Sequence, residues 1–443
     1  QPLEAALARG RLQERLLVVP RRGRPFRRAG PDVEIRGERP GERRLRGALE
    51  ELEIVAHGEI QREPAPRPAR LEPRARGVDV LDQHVVLRVG PQDFARASFG
   101  HEPTRLQRLK KLLPAYAYEV LELSYNILAY VRLYSAYRAF RPDFIYERCN
   151  LFLLAGVWLK NVVGVPLFLE VNAPLARERA SYGGLGLRRL AGYLERWVWR
   201  SADFVLPVTQ VLADEVAAAG VTLSRIVVIP NAIDPAKFQT GTNSEQAKAR
   251  FNLAGKIVLG FTGFARGWHG LDAAIDLITN PDVTDRLHLL IVGEGPAIEE
   301  LKSQAQANGV SQRVTFTGLV ERNSIARYVA AFDIALLPRC VEYCSPLKLF
   351  EYMEMGKAIV APDQLNIREI LADDVSCLFF TPGVRDSLAN AILRLARDDE
   401  LRLRLGRNAK SLVDEHGYTW RHNAERVAAL GTASLSRPSE IAR

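Results

Sequence analysis

The sequence predicts an α/β protein: two doubly wound parallel sheets facing each other across a cleft. Three observations carry this. Short apolar strands alternate with helical stretches from about residue 143 onward, the pattern of parallel sheets covered on both faces. A turn-rich break at Pro230-Asn231-Ala232-Ile233-Asp234-Pro235, followed by the polar segment 240–248, separates a first series from a second. Hydrophobic residues make up 47% and charged residues 26% of 443 residues, enough to bury real cores. This excludes a disordered, collagen-like or coiled-coil chain, and at about 100–200 residues per domain the length allows roughly two to four domains.

In the first series, residues 104–140 read as one or two helices interrupted by Pro114, with six tyrosines among the aliphatics. Strands are expected at Phe144-Ile145-Tyr146, Leu167-Phe168-Leu169, Phe204-Val205-Leu206 and Ile226-Val227-Val228-Ile229. Helices are expected over 151–163, 186–201 and 209–219. In the second series the strands are Ile257–Phe261, Leu289–Val292, Val314–Phe316, Ile334–Leu337, Ala358–Val360 and Leu378–Phe380. Helices are expected over 270–279, 296–308, 323–331, 346–355, 366–372 and 385–397. The stretch 399–430 reads as helical, with Tyr418-Thr419-Trp420 near its middle. The resulting domains are 103–230, 231–398 and a C-terminal helix and tail over 399–443. Two such sheets meeting at a hinge place a ligand at the carboxyl ends of their strands.

Residues 1–102 differ in composition and carry no clear fold. Residues 1–100 contain 20 Arg and no Lys, 10 Pro and 10 Gly, and neither helical nor strand periodicity. Three readings stand: a basic tail for nucleic acid or acidic lipid, plain disorder, or GC-rich DNA read out of frame. The 15 acidic residues interspersed there and the lack of an aromatic platform oppose nucleic-acid binding. The formal charge of +9 is mild for the length. Cys149, Cys340, Cys344 and Cys377 are too few and too unevenly spaced for a disulfide framework or a zinc site. The apolar stretch Leu151 to Val171 is broken by Lys160, Asn161 and Pro166, and no leader-like run follows Gln1. The expectation is a cytoplasmic protein.

Three loops at expected strand ends can do chemistry. Ile291-Val292-Gly293-Glu294-Gly295-Pro296 is a strand, a glycine turn and a helix start, suited to an anion or simply to a tight turn. Ile298 stands where a dinucleotide fingerprint wants a third glycine. Gly263-Phe264-Ala265-Arg266-Gly267-Trp268-His269-Gly270 offers a guanidinium that can fork onto a diphosphate, beside one of only seven histidines. In Ser345-Pro346-Leu347-Lys348-Leu349-Phe350-Glu351, Ser345 can cap a helix opening at Pro346. Its first amides and Lys348 suit a phosphate, and Glu351 suits a ribose diol. An ordinary capped helix with exposed Lys348 and Glu351 is the bland alternative.

Taken together and in order, the motifs of 143–430 resemble the family 4 retaining glycosyltransferases of the GT-B fold. They are Val228-Ile229-Pro230-Asn231-Ala232-Ile233-Asp234 with Phe238, the Gly293 turn, Val314-Thr315-Phe316-Thr317-Gly318, Ser345 to Met353, and Tyr418-Thr419-Trp420. The resemblance implies two Rossmann-like domains and retaining transfer from a nucleotide sugar, without a cofactor and usually without a metal. Glu351 matches the second of the family's two glutamates eight apart, which holds the ribose; with Arg266 and Lys348, read above as phosphate-binding, it makes up the expected catalytic set. The resemblance implies Gly263, His269, Glu294, Phe316, Glu342, Ser345, Pro346 and Leu347 around the donor. Arg148, Glu170 and Asn172 would face the acceptor. The sequence departs from the family at four places. One is the first strand and glycine-rich loop, which should lie within residues 1–100 and are not recognisable there, so that 103–230 reads as an incomplete acceptor-side domain. Tyr343 stands at the first glutamate, with Glu342 one residue off; His269 stands near the usual lysine; Asn172 stands at the first domain's histidine.

Tyr146-Glu147-Arg148 and Glu170–Pro174 resemble the subgroup active in surface-polysaccharide assembly, which implies a glycan or lipid-linked acceptor. Stabilisation of the leaving diphosphate by Arg266, Lys348 and helix amides is the expected source of rate. The departing phosphate then takes the acceptor proton on the same face. The rivals are a nucleotide-sugar epimerase of the same fold, and an inactive or truncated relative that only binds a nucleotide or a partner. Arg105, Arg108, Lys110 and Lys111, and Arg188, Arg189, Arg196 and Arg200 with Leu190, Tyr193 and Trp197, suggest peripheral contact with an anionic membrane. The competing reading makes those aromatics core-facing.

Overall fold

The computed structural model describes residues 16–20, 85–87 and 114–435, apart from 183, 240, 242 and 281–285. Two sheets organise it. The first has five strands in the order β2-β1-β3-β4-β5: β1 Leu16–Pro20, β2 Val85–Leu87, β3 Pro142–Arg148, β4 Leu167–Val171 and β5 Phe204–Pro207. β3, β4 and β5 are parallel, whereas β1 runs antiparallel to both β2 and β3. The stretch read as lacking a clear fold thus contributes two strands, β2 at the edge and β1 next to it. Its remaining residues lie outside those described, as do Arg105, Arg108, Lys110 and Lys111.

Helix α1 spans Ala115–Phe140 and starts directly after Pro114. Arg141, in a left-handed conformation (φ 46°), returns its amide to the Tyr137 carbonyl, and Pro142, which has no amide to donate, opens the next strand. Midway along α1, buried Asn126 accepts from the amides of Leu154 and Ala155 at 2.6 and 3.1 Å. Those are the first orphan donors of helix α2, Ala155–Val163. The expected start at residue 151 is therefore too early, because the cap comes from another helix. Helix α3, Leu175–Tyr182, is not among the expected helices; α4, Arg188–Ser201, and α5, Gln210–Ala218, are. Buried Glu195 of α4 accepts the Ala176 amide at 3.2 Å, so α3 starts on a side chain supplied by its neighbour. Ile226–Ile229 is not a strand. It follows the edge of β5 through only two bonds, Val227 to Val205 and Ile229 to Pro207, before the hinge prolines turn it away.

The second sheet is wholly parallel, in the order β11-β10-β9-β6-β7-β8. Its strands are β6 Ile257–Thr262, β7 Leu287–Val292, β8 Val314–Phe316, β9 Ile334–Leu336, β10 Ala358–Pro362 and β11 Leu378–Phe380. β6, β7 and β10 are buried at every residue, which is why they read as unbroken apolar runs. Gly260 is required in β6, since a Cβ there would lie 2.0 Å from the Phe332 ring. Helix α6, Ser244–Ala249, lies in the segment read as a polar break and is not among the expected helices; α7 Leu271–Ile278, α8 Ile298–Ala307, α9 Ile325–Ala330, α10 Leu347–Glu354, α11 Leu365–Arg368 and α12 Arg385–Arg397 follow the expected order.

The stretch expected as one helix over 399–430 is two, α13 Asp399–Glu415 and α14 Trp420–Leu435. Gly417 at φ 64° breaks it, and Ile233 and Thr419 form a bridge there. The break lets α14 return to the first sheet, where Val427 packs with Phe144, Phe168 and Leu206. Asn423 donates to the Pro230 carbonyl at 2.7 Å and Arg426 to that of Val228 at 2.9 Å, so α14 clasps the hinge.

Candidate active site

Two strand-end loops of the second sheet build the candidate donor side. The loop after β6 lies directly on the loop after β7: Gly263 donates to the Val292 carbonyl at 2.8 Å and Ala265 to that of Glu294 at 2.7 Å. The glycines of 293–295 exist for this contact. A Cβ at Gly293 (φ +132°) would sit 2.1 Å from the Gly263 oxygen, and one at Gly295 (φ +153°) 2.0 Å from that of Ala265. The motif is therefore a backbone saddle that holds the 263–270 loop, with the Glu294 side chain exposed beside it. Helix α8 begins at Ile298, two residues beyond Pro296.

Lys348, the second residue of α10, reaches across this loop. Its Nζ lies 3.0 Å from where a Gly263 Cβ would be and 4.2 Å from the centre of the Phe261 ring. Desolvation lowers its pKa to about 8, opposed by Glu351 and the thiols of Cys340 and Cys344. It stays charged at neutral pH, poised over a ring face and a backbone without side chains. Arg266 stands over the Phe264 ring at 5.1 Å on the same loop. Glu351, one turn into α10, is pushed upward by burial, against the pull of Arg322 and Lys348.

His269 is brought to this place, but not as a cation. Desolvation first, then Lys348 and Arg266, lower its pKa to about 4. Its Nδ1 accepts the Arg266 amide at 3.3 Å and its ring tilts against Phe261 at 5.6 Å, so the neutral imidazole shapes the loop.

The expected cap of α10 is corrected. Pro346 is the N-cap and supplies no side-chain bond, while the Ser345 hydroxyl accepts the Asn231 amide at 3.1 Å. Asn231 Nδ2 donates in turn to the Ser345 carbonyl at 2.6 Å. Ser345 is thus a hinge anchor that fixes where Leu347 and Lys348 begin the helix. Phe316 packs against the sheet's core with the Lys302 ammonium 6.0 Å from its ring. Glu342 is exposed.

Tyr343 replaces the first glutamate and does something else. It is buried in the first domain's core cluster, its carbonyl accepts from Thr209 Oγ1 at 3.1 Å, and Arg177 covers its ring at 5.4 Å. Alongside, Glu369 receives the first amides of α5 at 2.8 and 3.2 Å, so the two halves meet at named contacts.

On the first sheet, Arg148, Glu170 and Asn172 converge at the ends of β3 and β4, as expected. Arg148 Nε lies 3.7 Å from Glu170 Oε1, to which Asn172 Nδ2 also donates. The grouping has a fourth member, Tyr146, whose hydroxyl donates to Glu170 Oε2 at 2.5 Å. Burial and Glu170 raise its pKa well above the usual value, so it remains a donor. Strand alternation could have flagged it, since 146, 148 and the paired 170 lie on one face.

Two Rossmann-like sheets, each with a polar cluster near its strand ends and joined at the Pro230–Pro235 hinge, are the architecture of the GT-B class. Comparison makes this specific. The model described as "Glycosyl transferases group 1" matches residues 256–398, and that described as "Glycosyl transferase 4-like domain" matches residues 69–232. The 2-deoxystreptamine glucosyltransferase of Streptomyces kanamyceticus is 28% identical over 281 residues, covering 60% of this chain and 70% of that protein. The glycogen synthase of Mycobacterium tuberculosis is 23% identical over 67% of this chain and 70% of its own length. The Anabaena HepE structure in complex with UDP superimposes with a TM-score of 0.59 at 18% identity, covering 69% of this chain and 82% of that one. The chain belongs to the family 4 glycosyltransferases and has the GT-B fold.

Proposed function

We propose that this glycosyltransferase takes its sugar from a nucleoside diphosphate sugar bound between the loop 263–270 and the start of α10. The observation that carries the reading is Lys348, whose ammonium is held over Phe261 and beside the bare backbone of Gly263. A diphosphate there meets Lys348, Arg266 and the first-turn amides of α10, all cationic or partly so. Glu351 lies one turn further along α10 and would take the ribose diol. The likeness to structures described with UDP and with UDP-glucose supports a nucleotide-sugar donor.

Charge developing on the leaving diphosphate is stabilised by Lys348 and Arg266, and the departing phosphate takes the acceptor proton on the same face, giving retention. The acceptor, a glycan or a lipid-linked saccharide of polysaccharide biosynthesis, binds at Tyr146, Arg148, Glu170 and Asn172. A membrane-presented acceptor is favoured by the surface of the first domain. Leu190 and Tyr193 of α4 are exposed beside Arg189 and Arg196, while Ala191, Val198 and Trp199 face the core. Along α1, Tyr116, Val120, Ile127 and Val131 are exposed as well. Apolar and basic groups on one face suit an anionic headgroup layer. No helix among the described residues is long and apolar enough to cross a membrane.

Calorimetry with UDP, GDP and ADP tests the donor site, and release of nucleoside diphosphate from nucleotide sugars tests turnover. Binding without release points to the inactive relative, and interconversion of the sugar without release to the epimerase. Sedimentation with anionic vesicles tests the surface: binding should weaken as salt rises. A protein that stays in the supernatant at low salt removes the membrane arm.

A further inference from the structure

Cys340 and Cys344 lie in the loop between β9 and α10, and the donor-site reading makes no use of them. Both are partly exposed free thiols, whereas Cys149 and Cys377 are buried. The loop is clamped from outside. Gln364 brackets Cys340, accepting its amide at 3.2 Å and donating to its carbonyl at 2.9 Å. Asn366, wholly buried, donates to the Cys344 carbonyl at 2.7 Å, and its Nδ2 lies 3.6 Å from Cys340 Sγ and 3.9 Å from Cys344 Sγ. One amide nitrogen thus touches both sulfurs, and a turn from Val341 to the Cys344 amide at 3.1 Å brings the two residues together.

We propose that Cys340 and Cys344 are a peroxide-responsive thiol pair that closes to a disulfide and weakens nucleotide binding at Lys348. The chemistry is assigned by the neighbours. The Cys344 thiol, then Asn366 and the Lys348 ammonium, favour the thiolate of Cys340, while Cys344 is held protonated. The Cys340 thiolate attacks one peroxide oxygen, breaking the O–O bond; with one proton taken up, water leaves and a sulfenic acid remains. Cys344 attacks that sulfur, forming the S–S bond and releasing a second water. In sum two thiols lose two electrons and two protons, and hydrogen peroxide becomes two waters.

Closure shortens the loop in which Tyr343 is seated between Thr209 and Arg177 of the other domain, and whose end, Ser345, is tied to Asn231. The start of α10, and Lys348 with it, moves with those anchors. The effect on binding rests on the donor-site reading; the disulfide does not.

Trypsin cuts after Arg339 and Lys348, so the peptide 340–348 carries both thiols and reports the bond directly. After peroxide treatment of the full chain, this peptide should be two hydrogens lighter, with Cys149 and Cys377 still alkylatable as thiols. Calorimetry with UDP, GDP and ADP should show affinity reduced about tenfold, a shift of 1.4 kcal/mol, and restored by dithiothreitol. Cys344→Ser should yield a dimedone adduct on Cys340 and no disulfide, and Cys340→Ser neither. Two outcomes overturn the proposal: a peptide that keeps both thiols while peroxide oxidises Cys149 or Cys377, and a disulfide with unchanged nucleotide affinity. If the reduced chain binds none of the three nucleotides, the donor-site reading and the effect on binding fall together. The mass shift still decides the disulfide.

Discussion

The two sheets present their sites on different foundations. In the second sheet all six strands are parallel, and the loops after β6 and β7 lock to each other through backbone bonds. Arg266 is carried on that saddle, and Lys348 reaches across it from α10. In the first sheet an antiparallel edge adjoins three parallel strands, and the candidate acceptor cluster is held by side chains, Tyr146 and Asn172 both bonding Glu170. Beneath it lies buried Glu147, whose Oε2 has no hydrogen-bond partner among the described residues. The candidate donor side is therefore fixed by main chain and carries charge, whereas the candidate acceptor side is held by side chains. Binding a constant diphosphate and a variable acceptor calls for that division.

The sharpest test of the donor half is the pair Arg266→Ala and Lys348→Ala. With both charge-assisted bonds to the diphosphate removed, nucleotide affinity should fall about 100-fold or more, read by calorimetry. Wild-type-like affinity in the double variant would sink the assignment. The saddle itself is broken by Gly295→Ala, whose Cβ meets the Ala265 oxygen. A loss of about 3 kcal/mol in denaturant unfolding is expected. Gly267→Ala, whose Cβ meets nothing within 4 Å among the described residues, should leave stability near wild type.

In the first sheet, burial raises the Glu147 pKa from 4.5 to about 8. The folded chain then holds a proton the unfolded chain has lost, so this group lowers stability as pH rises from about 4.5 to 8. Glu147→Gln should flatten that fall and add about 1–3 kcal/mol at pH 8, with little change near pH 4. Equal gains at both pH values would show that the carboxyl is not the cause.

A smaller effect separates the halves by pH. Lys348 titrates near 8, so nucleotide affinity should decline by about tenfold between pH 7 and 9.5. Lys348→Arg should abolish that decline. The least is expected from Tyr146→Phe, which removes one bond to Glu170. It should raise the acceptor KM about threefold to tenfold and leave nucleotide affinity untouched. A change in nucleotide affinity instead would merge the two sites.

The second domain's strands and the order of its helices after α6 were legible, because its central strands are buried on both faces and its longer helices on one; α6 was missed. Val314–Phe316, Leu378–Phe380 and 385–397 needed nothing beyond hydropathy and turns. The placing of Arg266, Lys348 and Glu351 at strand ends was equally readable, since topology puts those loops on one edge. Where a boundary depends on a distant partner, the sequence was silent. Helix α2 starts late because Asn126 caps it from α1. Ser345 is spent on Asn231 across the hinge. The C-terminal helix breaks at Gly417 so that Val427 can reach Phe144.

The sequence by itself determined the α/β class, the order of the second domain and the resemblance to family 4, because hydrophobic periodicity and local turn chemistry are properties of neighbouring residues. Only the tertiary structure decided that His269 is neutral, that Tyr343 belongs to the opposite domain's core, that Tyr146, Arg148 and Asn172 all reach Glu170, and that two cysteines share one amide. Those are matters of desolvation and of contact across long stretches of chain. Burial and proximity have no period along a sequence; they exist only once the chain has closed on itself.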